Sequence, residues 1–286
     1  VIRGGVVRHG DSLDEGSVFL KSLSGLGYEP LDVIIDKSGS WVHKGVPTDP
    51  HAIFTKAEGY VDTTHMHDAS HHTLATRMGI PNLFPQKKLL GEGDRESIYR
   101  ILRQHDIPVP DTVTIRAKQE LNPELLHTTW RKLHTPLIVR PLVRKEGLSA
   151  KIVRSFKDLI DTLTFHKEKK SDVHILTYTN TPIFSIALLP HYRNESWYTP
   201  LPVQVFPEKD EIPHAHIRIY HYDKGDVEER TRLKALAIEA VNALDLHSPA
   251  TVDIIRTKTG YVIVNVDVNP SLRADGRFMQ SLSTTG

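Results

Sequence analysis

Cysteine is absent from the 286 residues, which excludes disulfides, thiolate nucleophiles and cysteine-ligated metals and fits a reducing cytoplasm. Charge of one sign is lacking too. Lys and Arg number 36 against 35 Asp and Glu, so the chain is neither a nucleic-acid polycation nor an acidic solvating protein. No apolar run approaches a membrane span, and no secretory leader pattern opens the chain. Val1 falls inside the first expected strand without an initiator Met, so further residues are expected to precede it. Internal repeats and low-complexity segments are lacking. The three tryptophans, Trp41, Trp130 and Trp197, suit packing better than a stacking platform. The class that remains is a cytoplasmic protein without nucleic-acid or membrane partners, long enough for two or three subdomains.

What is present divides into three parts. Residues 1–88 open β-α-β: "VIRGGVV" is an apolar strand, "SVFLKSLSGLG" a helix ending on Gly27, and "EPLDVIID" a second strand. A hairpin carrying Trp41, a strand at "YVDTTHM" and a helix through "HHTLATRMG" follow, and strands alternating with helices argue for a parallel sheet. In residues 89–178, "DRESIYRILRQHDIPVP" is a helix capped by Asp94 and stopped by the prolines. Strands "TPLIVRPLV" and "SAKIVRS", helix "FKDLIDTLTFH" and strand "DVHILTYT" complete a small α+β unit. Residues 179–286 bring long strands, the helix "DVEERTRLKALAIEAVNAL" and a closing hairpin, "TVDIIRTKTGYVIVNVDVN".

The last strand of that hairpin is unusual. Val262, Val264, Val266 and Val268 alternate with Asn265, Asp267 and Asn269, so a period of two puts the valines on one face and the polar groups on the other. A three-residue loop at Lys258–Gly260, with Gly260 left-handed, sets Asp253 opposite Asn265 and diagonal to Asp267. Opposed side chains lie about 5 Å apart and diagonals about 7–8 Å. Two carboxylates with carboxamides in that space suit a hard cation such as Mg²⁺, shared with ligand phosphates. A solvated face of hydrogen-bonded Asn and Asp accounts for the same pattern. The histidines His65, His67, His71 and His72 suit either a zinc site or a histidine-rich loop, and Glu15 also reads as a first-turn helix acid.

A β-α-β part, a small α+β part and a final sheet ending in D…D-x-N-P resemble the ATP-grasp superfamily, and more specifically the D-alanine–D-alanine ligase family. The likeness covers nearly the whole chain, with one segment missing and the family's C-terminal helix cut off. "GG" at Gly4–Gly5 followed by "EGSVFLKS" resembles the family's opening, which puts Glu15 on the glutamate that holds the ammonium of the first D-alanine. "TTHMHD" resembles A-L-H-G, with His65 as the match and His67 as its rival. "HDIPVP" resembles G-L-P-V-P, and "GDR" and "PLIVRPL" put Arg95 and Arg140 on two phosphate-contacting lysines. Arginine keeps the charge and adds bidentate geometry. Gly147 and Ser149 are the counterparts left in the phosphate-covering loop, and Thr177 and Tyr178 stand at the adenine-contacting hinge. "VDII" and "DVNPS" put Asp253, Asp267 and Asn269 on the metal ligands.

Other positions depart from the family. Its hinge acid becomes Leu176, its ribose-binding glutamate Ile183, and its oxyanion-steadying arginine Thr251, with Arg256 or Arg273 near enough in sequence to supply a charge instead. The long substrate loop is replaced by "EKDEIPHAHIRIYHYD". The resemblance implies a three-subdomain α/β ATP-grasp fold and a cytoplasmic Mg²⁺- and ATP-dependent ligase that joins amino acids, with D-alanine as substrate, for peptidoglycan precursor synthesis in the cell wall. It also implies a homodimer. The departures imply the alternative, a catalytically impaired homologue that binds or scaffolds.

Overall fold

In a computed structural model, the described residues are 3–9, 13–36, 40–54, 57, 59–62, 77–80, 95–142, 148–206, 218–221, 227–268, 270–273 and 275–283. They form three sheets.

The first sheet joins β1 (Arg3–His9), β2 (Glu29–Ile35), β3 (Trp41–His43), β4 (Val46–Pro47) and β5 (Gly59–Asp62) in the order β4-β3-β2-β1-β5. β1 runs parallel to β2 and β5, with α1 (Leu13–Gly25) as the crossover between β1 and β2. The expected β-α-β opening and the Trp41 hairpin are both present. A short helix, α2, spans Pro50–Phe54.

α3 (Arg95–Gln104) turns Ile98, Tyr99 and Leu102 inward at helical spacing. The second sheet holds β6 (Thr112–Ile115), β7 (Leu137–Pro141), β8 (Lys151–Val153) and β9 (Val173–Thr177) in the antiparallel order β6-β9-β7-β8. Two helices pack on it, α4 (Pro123–Lys132) and α5 (Phe156–Glu168). Asn122 caps α4 by accepting from the N–H of Leu125 at 2.8 Å, and Ser155 caps α5 by accepting from Asp158 at 3.1 Å. Each cap satisfies a donor that the first turn leaves without a helical partner.

The third sheet contains β10 (Ile183–Pro190), β11 (Trp197–Tyr198), β12 (Val203–Phe206), β13 (Arg218–His221), β14 (Ala250–Thr257) and β15 (Gly260–Asp267), in the order β13-β12-β10-β14-β15 with β11 on β10. Phe184, Ile186 and Leu188 alternate on β10 and meet Val252 and Ile254 of β14. α6 (Val227–Ala243) lays Leu233, Ala237, Ala240 and Val241 against them, and α3 adds Ile98, Tyr99 and Leu102 to the same core. Thus α3, although it precedes the second sheet in sequence, packs on the third. The closing helix α7 (Arg277–Leu282), which periodicity did not reveal, buries Phe278 and Ser281.

The closing hairpin corrects two expectations. Thr257 pairs with Gly260, so the loop is the two residues Lys258 and Thr259. Gly260 has φ +137°, a conformation that L side chains rarely adopt. The register then shifts at a bulge: Ile254 faces Ile263, but Asp253 faces Asn265, which leaves Val264 as the extra residue. The shorter loop and the bulge offset each other, so the expected Asp253–Asn265 pairing stands. The four valines do not share a face. Ile263 and Val266 enter the core, and Val262 pairs with Ile255 on the far side of the sheet.

Candidate functional site

On the face opposite the α6 core, β10, β14 and β15 line up polar residues by register. Ser185 pairs with Asp253, which pairs with Asn265; one step along, Ala187 pairs with Thr251, which pairs with Asp267. Ser185, Thr251 and Asp253 are buried at the sheet centre, whereas Asp267 at its edge is exposed.

A carboxylate as enclosed as Asp253, at 5% exposure, is stable only when paired and hydrogen-bonded. The Ser185 hydroxyl donates to Oδ1 at 2.6 Å. Oδ2 accepts from the Arg277 guanidinium at 2.8 Å and, at a longer 3.4 Å, from the Asn265 amide. Arg277 opens α7, and no sequence signal beyond its place after Gly276 marked it. Arg256 and Arg273, the two cations nearer in sequence, turn elsewhere: Arg256 pairs with Glu229 and Arg273 with Asp275.

Two more cations reach β15 from other segments, one directly and one through Tyr99. The Arg95 Nε of α3 donates to Asn265 Oδ1 at 3.4 Å. Arg140 of β7 donates from Nη2 to the Tyr99 hydroxyl at 3.0 Å, and that hydroxyl donates to the carbonyl of the bulged Val264 at 2.6 Å. Tyr99 also stacks on His174 of β9, with centroids 5.8 Å apart. The second sheet, α3 and β15 are therefore joined through Tyr99. Arg140 Nε is buried without a hydrogen-bond partner among the described residues, and so is the Thr251 hydroxyl. A buried guanidinium donor left over from the internal network suits an anionic oxygen.

The other expected residues are dispersed. Thr177 ends β9, its hydroxyl accepting from the N–H of His134 at 3.3 Å. The Tyr178 N–H, expected at the hinge, is committed to the Pro136 carbonyl at 2.7 Å. Ser149 is exposed outside the strands. Glu15 lies on α1, with its side chain outside the described residues, as are Gly147, Asn269, the capping Asp94 and the histidines His65, His67, His71 and His72. Ile183 opens β10 on the same face as Ser185, opposite Ile255.

Among the described donors, Asp253 is committed to other partners rather than open to a divalent cation. Mg²⁺ binds oxygen ligands in near-octahedral geometry, keeping several waters. Here Asp253 already has both oxygens engaged and its charge met by Arg277, and no three His, Asp or Glu side chains among the described residues are placed to hold a metal ion. Among the same residues no helix is long and apolar enough to cross a membrane.

No protein-family model matches the chain. Solved structures do match it over its whole length. The D-alanyl-alanine synthetase A of Vibrio cholerae superposes with a TM-score of 0.83 at 12% identity, covering 100% of this chain and 94% of that one. The D-Ala:D-Ser ligase of Enterococcus faecalis gives 0.77 at 17% identity, covering 100% and 96%. The D-alanine–D-alanine ligase of Bacillus anthracis, complexed with ATP, gives 0.75 at 18%, covering 99% and 91%. The chain shares the fold of these solved ligases at 12–18% sequence identity.

Proposed function

We propose that this chain is an ATP-dependent carboxylate–amine ligase of the D-alanine–D-alanine type, acting on small amino-acid substrates in the cytoplasm. The observation that carries the reading is Arg140, whose buried Nε lacks a partner while its Nη2 is held by Tyr99 beside the polar row. The fold supports it, since a solved relative in fold holds ATP. The division into parts 1–88, 89–178 and 179–286 belongs to the same reading, with the nucleotide between the second and third. So do D-alanine as substrate, peptidoglycan precursors as product and a homodimer.

In this reaction a substrate carboxylate oxygen attacks the γ-phosphorus of ATP and ADP leaves. The amine of the second substrate then attacks the acyl carbon, phosphate leaves and the nitrogen loses a proton. Arg140 and Arg95 would donate to phosphate oxygens and balance their charge, with Tyr99 fixing the Arg140 plane. Glu15 and His65 would meet the first amino acid, and Ser149 with Gly147 would cover the phosphates.

The Asp253–Arg277 pair favours a second reading, a homologue that binds nucleotide without ligation. Phosphate release from ATP, with and without D-alanine, separates the two. Thr251 lacks the positive charge of the arginine it replaces, and losing one preorganised donor costs about a hundred- to a thousandfold in turnover. Slow release that depends on D-alanine and vanishes in Arg140→Ala supports the ligase. Nucleotide binding with no D-alanine-dependent release supports the second reading.

A further inference from the structure

Arg277 is held as firmly as the carboxylate it meets. The preceding Gly276 leaves no room for a side chain: a Cβ there would lie 3.0 Å from the Arg273 carbonyl oxygen and 3.2 Å from that of Ser271. The tight turn so formed starts α7 with Arg277 at its first position. Two anchors then fix the helix, the buried Phe278 ring and the Ser281 hydroxyl, which donates to the Leu201 carbonyl at 2.7 Å. The guanidinium lies 2.8 Å from Asp253 with only 19% of its side chain exposed. A surface ion pair between two long side chains would be loose and screened, but this one is enclosed and oriented from both sides.

We propose that Arg277 is a resident counter-cation. It supplies at Asp253 the positive charge that a divalent metal supplies where phosphates are bound through carboxylates. A guanidinium matches phosphate oxygens as well as carboxylate oxygens, so this face binds a phosphoanion through arginine and depends little on Mg²⁺. Phosphate as the ligand rests on the nucleotide reading above; the occupation of Asp253 by Arg277 does not. Removing Arg277 leaves a buried carboxylate whose nearest remaining donors are neutral, Ser185 and Asn265, with Asp267 on the same sheet face. That set is one a divalent cation can enter.

The test is Mn²⁺ binding to the whole chain without nucleotide, followed by electron paramagnetic resonance and by thermal denaturation. The wild-type chain is expected to show no saturable one-to-one site in the micromolar range. Arg277→Gln should gain one, at least tenfold tighter, and Mn²⁺ should raise its Tm while leaving that of the wild type in place. Arg277→Lys, which keeps the charge, should remain silent, and the double variant Arg277→Gln/Asp253→Asn should lose the gained site. A saturable wild-type site that Asp253→Asn abolishes would overturn the proposal, as would a folded Arg277→Gln that gains nothing. If Arg277→Gln does not fold even with Mn²⁺, the wild-type and Asp253→Asn titrations decide alone: an Asp253-dependent site refutes the counter-cation and no site upholds it. A chain that passes this test but binds no nucleotide loses the functional reading and keeps this one.

Discussion

The Tyr99 hydroxyl donates to the Val264 carbonyl at 2.6 Å, which ties α3 to the one residue of β15 that the ladder leaves over. The same oxygen accepts from Arg140 at 3.0 Å. Removing it in Tyr99→Phe keeps the ring in the core but strands a carbonyl and a guanidinium. A buried polar group left unsatisfied costs about 1–3 kcal/mol. Urea unfolding should show that loss with an unchanged m-value.

Two single-residue deletions in β15 should have opposite outcomes. Val264 is the extra residue of the bulge, so deleting it keeps Asn265 opposite Asp253 and Val266 toward the core. Deleting Val266 moves Asp267 into its core position, because a slip of one residue exchanges the two faces. Circular-dichroism melts should show a cooperative transition for the first, lowered by the lost Tyr99 bond, and no cooperative transition for the second.

Acid should weaken the second sheet through His166. This side chain is 2% exposed on α5, its Nδ1 has no hydrogen-bond partner among the described residues, and burial pushes its pKa below the ordinary 6.5. The unfolded chain takes up that proton first, so the stabilisation is whole above about pH 6.5 and is lost as pH falls toward the folded-state value. Denaturation between pH 7 and pH 5 should show stability falling, and His166→Leu should flatten that slope.

Much of this fold is legible in the sequence because period and punctuation agree. β10 alternates apolar residues and α6 repeats them at helical spacing, whereas the Asp253–Asn265 pairing is met only because a shorter loop and a bulge offset each other. The bulge is not legible. Val262, Ile263 and Val264 form an unbroken apolar run that does not mark it, and the carbonyl it leaves over is met by the Tyr99 hydroxyl from a distant helix. Arg277 is hidden for the same reason: it lies on a six-residue helix, too short for periodicity to mark, and its partner is fixed by tertiary packing. The Tyr178 N–H likewise looks available until Pro136 is found against it.

Ile183 supplies a gain-of-function prediction. It shares the polar face with Ser185 and cannot accept a hydrogen bond from a ribose hydroxyl. An unpaired hydroxyl costs about 1–3 kcal/mol, or roughly ten- to hundredfold in affinity. Ile183→Glu should therefore tighten ATP binding by about that factor. An unchanged dissociation constant would show that position 183 does not face the ribose.

A nucleotide phosphate site at Arg140 and its neighbours is measured by calorimetric titration with a non-hydrolysable ATP analogue. One site per chain is expected, with affinity reduced at least tenfold in Arg140→Ala, as for the loss of a charge-assisted bond of about 1.5–3 kcal/mol. No binding by the wild-type chain, or equal binding by both, would contradict it.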